Sequence, residues 1–262
     1  MIGKIWPSMV IAVLLCGCSI KEERLGCPCR IRLVLDNAFE RVGIHEDCIS
    51  LAAFIPELYS SQTVRISDYP EYFEMSVPKG EAVLCAAYGV ILKSDEYRIQ
   101  DGHQSDSIYV WKRIMDTNKE AAEASVILSK QFSSVFIHFD ELEDDPGVPL
   151  DFRLEVSGNT SGLRMMDMEP IEGAFHCFAE QVGMRDYVFR IPRQAELSLR
   201  MDVYDASGKI IAVYPIGDMM EKAGYHKDLE SLEDIFLEIS LAELRTELNI
   251  VDWERDCTDV IL

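Results

Sequence analysis

The residues best placed to do chemistry lie at the N-terminus. Cys18 carries a thiol at the end of a short, mainly apolar run, and small Gly17 precedes it. Lys4 supplies positive charge ahead of the apolar residues 5–15, and Leu15-Cys16-Gly17-Cys18 has the form of a cleavage box. This is the layout of a lipoprotein signal peptide. The run falls short of the ~20 residues that span a bilayer, and Pro7 interrupts it. In such a box the thiol takes up a diacylglyceryl group as a thioether, and cleavage frees an amine for further acylation. Cys16 is a competing thiol, but bulky Leu15 stands where the peptidase takes a small residue. The expectation is a signal peptide over 1–17 and a lipid on Cys18. Several acyl chains make that anchor stable, since each buried CH₂ contributes ~0.8 kcal/mol.

The rest of the chain offers little reactive chemistry. The five histidines, at 45, 103, 138, 176 and 226, are scattered and form no H-E-x-x-H pair. The acidic run Asp140, Glu141, Glu143, Asp144, Asp145 lacks the spaced order of a calcium loop and reads as a solvated turn. There is no G-x-S-x-G, no phosphate-cradling glycine loop and no Cys/His nucleophile pair. The expectation is a non-enzyme with no catalytic residue, no metal and no cofactor. Of the eight cysteines, six follow Cys18 or lie beyond the box, at 27, 29, 48, 85, 177 and 257. Cys27-Pro28-Cys29 has the wrong spacing for a C-x-x-C pair. Cys48 and Cys85 fall in apolar runs and are expected to be buried, inert thiols. An exported body can keep disulfides, whose pairing the spacing leaves open.

Charge and size narrow the class. The 262 residues suffice for one large domain or two ordinary ones, and 48% hydrophobic content calls for a packed core. The formal net charge is −21, and loss of Lys4 with the signal peptide takes it to −22. Such a polyanion does not bind nucleic acid, or an anionic lipid surface, through bulk electrostatics.

The elements that would carry these groups are strands. Residues 30–36 alternate polar and apolar, as a half-buried strand does. Apolar runs at 49–55 and 82–90, and a strand at 72–77 ending in Pro78-Lys79-Gly80, continue the cadence. It restarts at 134–139, 152–156 and 187–191. Residues 197–204 and 209–213 flank Asp205-Ala206-Ser207-Gly208 as a β-hairpin. Strands at 236–240 and 244–253 close the chain. Short helices are expected over 114–124 and 219–222. The pattern predicts an all-β sandwich or barrel with a boundary near 124, giving a tether over 18–29, a first domain over 30–124 and a second over 125–262.

The segment Cys18 to Cys29, with its short charged tether and Cys27-Pro28 pair running into the strand at 30–36, resembles the FimB-type family of Bacteroidetes fimbrial lipoproteins. The closing strands and Val251-Asp252-Trp253-Glu254 resemble the end of that family. The resemblance implies two tandem transthyretin-like (Greek-key) β-sandwich domains. It further implies a non-catalytic anchor or minor accessory subunit of type V pili, lipid-anchored in the outer membrane, with pilin subunits as partners. Those subunits join by strand complementation. Lys21, Glu22 and Glu23 resemble the signal that sends lipoproteins of that group to the cell surface. Asp106-Ser107-Ile108 resembles the O-glycosylation site of the same group, with Ser107 as acceptor. The competing reading is a surface adhesin that binds glycan or a host protein, with Tyr109 and Trp111 as stacking platforms. The favoured reading of the same two rings is core or interface packing within the segment 108–111.

Overall fold

A computed structural model describes residues 27–43, 47–56, 58–140, 152–239 and 246–251, the last stretch as backbone. Among the described residues eighteen strands carry the fold. They are β1 (Cys29–Val34), β2 (Cys48–Ile55), β3 (Leu58–Arg65), β4 (Phe73–Val77), β5 (Glu81–Tyr88), β6 (Glu96–Arg98), β7 (Tyr109–Asp116), β8 (Ala121–Ser125) and β9 (Ser129–Lys130), followed by β10 (Phe132–Phe139), β11 (Arg153–Arg164), β12 (Pro170–Phe178), β13 (Glu180–Gln181), β14 (Asp186–Pro192), β15 (Arg200–Tyr204), β16 (Ile210–Tyr214), β17 (Asp234–Ile239) and β18 (Thr246–Val251). Among the described residues one α-helix, α1 (Ile216–Lys222), follows β16, and a 3-10 turn spans Ile66–Asp68.

The strands build an all-β sandwich architecture from four sheets: β4-β1-β8, β3-β2-β5-β7-β9, β12-β11-β15-β16 with β6 added to β11, and β13-β14-β10-β17-β18. Alternation along β1 shows why they stack. Cys29, Ile31 and Leu33 are buried while Arg30 is exposed, so one face seeks cover. These residues cluster with Ile49, Leu51 and Ala53 of β2 and Leu84 and Ala86 of β5 as the first core. A second core joins Val135, Ile137 and Phe139 of β10 to Leu154 and Val156 of β11, Met201 and Val203 of β15, and Ile216 and Met220 of α1.

Both cores use the same wiring. The first strand of each, β1 or β10, lies between an antiparallel neighbour (β4 or β14) and a parallel one (β8 or β17). The facing sheets run β3-β2-β5-β7 and β12-β11-β15-β16 in the same order. A third cluster, including Phe54, Cys85, Leu92, Tyr97, Ile108, Leu163 and Met165, packs the outer face of the β2-β5-β7 sheet against the β6 segment and the β11–β12 hairpin. Gly162 permits that approach, since a Cβ there would lie 2.1 Å from the Tyr97 carbonyl oxygen. At the junction between the cores, the Lys130 ammonium pairs with the buried Asp234 carboxylate, which also accepts the Ser134 amide. Arg193 donates to Gln131 Oε1 and to the Lys227 and Leu229 carbonyls, satisfying a guanidinium that burial would otherwise penalise.

Two expectations need correction. Residues 114–124 are not helical: they hold the end of β7 and most of β8, because pairing with β5 and β1 outweighs the helix preference of Lys, Glu and Ala. Cys48, opening β2, is exposed rather than buried. The expected turn at 205–208 holds as drawn. Gly208 has φ +81, and the Asp205 carboxylate accepts the Ser207 and Lys209 amides. The helix expected at 219–222 lies inside α1.

Candidate subunit interface

The strand that follows the tether is held on both edges. β1 pairs from Cys29 to Leu33 with β4 and from Arg30 to Val34 with β8. Its apolar residues fill the first core, so the first sheet contains the chain's own leading strand. Burial raises the Cys29 thiol above its ordinary range, which keeps it an inert core group. Cys85 and Cys177 are pushed to about 12 for the same reason. Cys27, Cys29, Cys48, Cys85 and Cys177 are all free thiols.

The outer edge of β8 differs from that of its counterpart. In the second core, β17 lies between β10 and β18, and β18 pairs along it from Asp234↔Val251 to Ile239↔Thr246. Among the described residues β8 has β1 on one edge and no strand on the other. The side chains differ too. Opposite Val135, Ile137 and Phe139, β17 sets Ile235, Leu237 and Ile239, all buried. Opposite Ile31 and Leu33, β8 sets Ala122 and Ala124. The first sheet therefore ends in small side chains beside bare backbone donors and acceptors, the arrangement that takes an added strand.

Cys18, Lys21, Glu22, Glu23 and Trp253 lie outside the described residues, as do Glu141 to Asp145. Ser107 is half-buried. Its neighbour Asp106 accepts a 2.9 Å hydrogen bond from the Tyr97 hydroxyl, and Ile108 is buried in the third cluster. Tyr109 does not serve as an exposed platform: it is 5% exposed and meets Phe132 edge-on at 5.4 Å. Trp111 is half-buried against the first core. His138 bonds Asp186 at 2.7 Å on the surface, and His176 stands between Asp101 and Glu155 at 3.4 and 3.5 Å. Among the described residues no group of three His, Cys, Asp or Glu side chains is arranged to hold a metal ion. No helix among them is long and apolar enough to cross a membrane.

The sequence reading passed over one exposed set. β16 is the outer strand of its sheet and leaves Ile210, Ile211 and Val213 exposed by 43%, 47% and 47%. The adjacent apolar pair Ile210-Ile211, which breaks strict alternation, was its signal in sequence.

An all-β sandwich is the fold class these observations define. Solved structures share it. The fimbrial anchor protein Mfa2 of Porphyromonas gingivalis superposes with a TM-score of 0.61 at 10% identity, over 87% of this chain and 98% of that one. A candidate polysaccharide-binding protein of Bacteroides thetaiotaomicron gives 0.59 at 12% identity, over 87% and 96%. A candidate adhesin of the same organism gives 0.57 at 14%, over 87% and 97%. No protein-family model matches the chain, and no curated protein does. The chain has the fold of Bacteroidetes fimbrial and adhesin-type proteins.

Proposed function

We propose that this chain is a non-catalytic, cell-surface fimbrial lipoprotein, an anchor or accessory subunit that accepts a strand from a pilin along the outer edge of β8. The single observation behind this reading is the contrast between β8, which among the described residues is bare on its outer edge and lined with alanines, and β17, covered by β18. The incoming strand would run antiparallel to β8, as β18 does to β17, and turn large apolar side chains over Ala122 and Ala124. Main-chain hydrogen bonds would hold it and the small-residue lining would select it.

In this reading the lipid on Cys18 roots the molecule in the outer membrane, with Lys21, Glu22 and Glu23 directing it to the surface and a sugar on Ser107. The tether over 18–29 leads straight into β1, so the body is attached through a strand bonded on both edges. The two domains of this reading are 30–124 and 125–262, although the first core also takes in Cys29, Val126, Leu128 and Phe132. The fold shared with the Mfa2 anchor supports this reading. The experiment is fibre retention: cells lacking the chain shed their fibres or carry abnormally long ones. Unchanged retention and length overturn the anchor role.

A second reading, a surface adhesin for glycan, is favoured by one feature. Phe178 is 41% exposed, and the Arg153 guanidinium lies 5.6 Å from its ring and 4.6 Å from that of Tyr204. Saccharide binding on a glycan array that is lost in Phe178→Ala supports it, and binding that survives the change removes this face from consideration.

A further inference from the structure

We propose that β16 is a self-association edge: two copies of this chain pair their β16 strands antiparallel about a two-fold axis. Edge strands are ordinarily guarded by charge, proline or brevity. β3, an edge of the first region, turns the polar run Ser60, Ser61, Gln62 and Thr63 to solvent after exposed Leu58 and Tyr59. β16 has no polar run of that kind. It reads Ile-Ile-Ala-Val-Tyr, without a charge or a proline inside it.

Its geometry enlarges the apolar surface. Tyr204 pairs with Ile210 and Val203 with Ala212, so Ile211 is the extra residue of a β-bulge. A bulge breaks the alternation, and here both isoleucines stand in solvent. Ala212 and Tyr214 turn the other way, against the second core. Val213 lies opposite Asp202, whose carboxylate is taken up by Arg200 at 2.6 Å. The exposed side chains on this edge are therefore branched hydrocarbons beside a neutralised ion pair.

The occupant follows from the order of residues along the strand. Exposed Lys209 precedes it, and exposed Asp218 lies in the first turn of α1 beyond it. An antiparallel pair centred on Ala212 sets Ile211 opposite Val213, both on the exposed face. It also carries each Lys209 to the end from which the other copy's Asp218 projects. A parallel pair would set lysine against lysine. Apolar residues thus meet apolar residues and cation meets acid twice, which is the self-complementarity a two-fold interface needs. Five residues form a small contact, and each body is strongly acidic, so the pair is a reversible one. Confinement on a membrane surface would raise its occupancy.

The test is sedimentation equilibrium of the full chain carrying Cys18→Ser, with thiols kept reduced, in enough salt to screen the repulsion between two acidic bodies. A concentration-dependent dimer is expected. Val213→Lys weakens it by about tenfold or more with an unchanged circular-dichroism spectrum and melting curve, since the site is exposed. Lys209→Glu weakens it less, and adding Asp218→Lys to that variant restores it. Ile114→Lys, at another exposed apolar residue on β7, leaves it unchanged. A monomer at every concentration overturns the proposal. So does a dimer indifferent to Val213→Lys, a charge reversal that fails to rescue, or one lost equally in Ile114→Lys.

Discussion

The first and second cores use one wiring diagram and finish it differently. In each, an opening strand lies between a parallel and an antiparallel neighbour and faces a five-stranded sheet, four strands of which run in the same order. The second core closes its parallel edge with β18 and lines it with isoleucine and leucine. Among the described residues the first leaves that edge bare and lines it with alanine. At the other sheet the contrast reverses. β7 has β9 along its end, whereas β16 has nothing beyond it among the described residues. Each half thus shows, by what the other carries, where an additional strand fits. Two sheets with equal topology are not equally finished, and the unfinished edges are where partners are expected.

The largest expected effect concerns what holds the two cores together. Asp234→Ala removes the carboxylate partner of the buried Lys130 ammonium and the acceptor of the Ser134 amide. It should cost about 3–5 kcal/mol in urea unfolding. A loss under 1 kcal/mol would mean that the junction does not couple the cores. Next comes Leu237→Ala, which converts the finished edge to the alanine lining of the other. A loss of about 2–5 kcal/mol is expected from the cavity. Ala122→Ile does the converse at the half-buried edge of β8. Stability should change by less than about 1.5 kcal/mol, since Ala122 is half-buried on an edge strand. Incorporation into fibres should nevertheless fall, because the larger side chain takes the place of the incoming strand's. Equal incorporation would remove the small-residue lining from the account.

The smallest effect is a pH trend. Cys85 and Cys177 stay protonated in the fold, with pKa about 12 against an ordinary 9.0. The unfolded chain therefore loses protons first as pH climbs past 9, and stability falls between about pH 9 and 12. Replacing both thiols with alanine should flatten this part of the urea midpoint profile. The buried Tyr225, also near 12, leaves a residual slope.

Legibility in the sequence followed locality. Alternation at 30–36 marked β1, and the glycine turn at 205–208 marked the β15–β16 hairpin, because both signals lie within a few residues of the structure they specify. Residues 114–124 misled, since their lysines, glutamates and alanines favour a helix and only the distant partners β1 and β5 make them strands. Two- and three-residue strands such as β6, β9 and β13 carry no periodicity at all. A platform stayed open as the alternative to core packing for Tyr109 because a ring's exposure depends on the sheet that covers it. The bare edge of β8 was invisible for the same reason: an unfilled neighbour position belongs to the assembled sheet. Ala122 and Ala124 acquire meaning only when set beside Ile235 and Leu237.

The most direct measurement places a cysteine at exposed Glu123 on β8, in a Cys27→Ser, Cys48→Ser background, and cross-links intact cells through that thiol. The account predicts a cross-linked species in which mass spectrometry joins residue 123 to an extended segment of another fimbrial subunit. Cross-links confined to this chain, or none at all while fibres assemble normally, would contradict it.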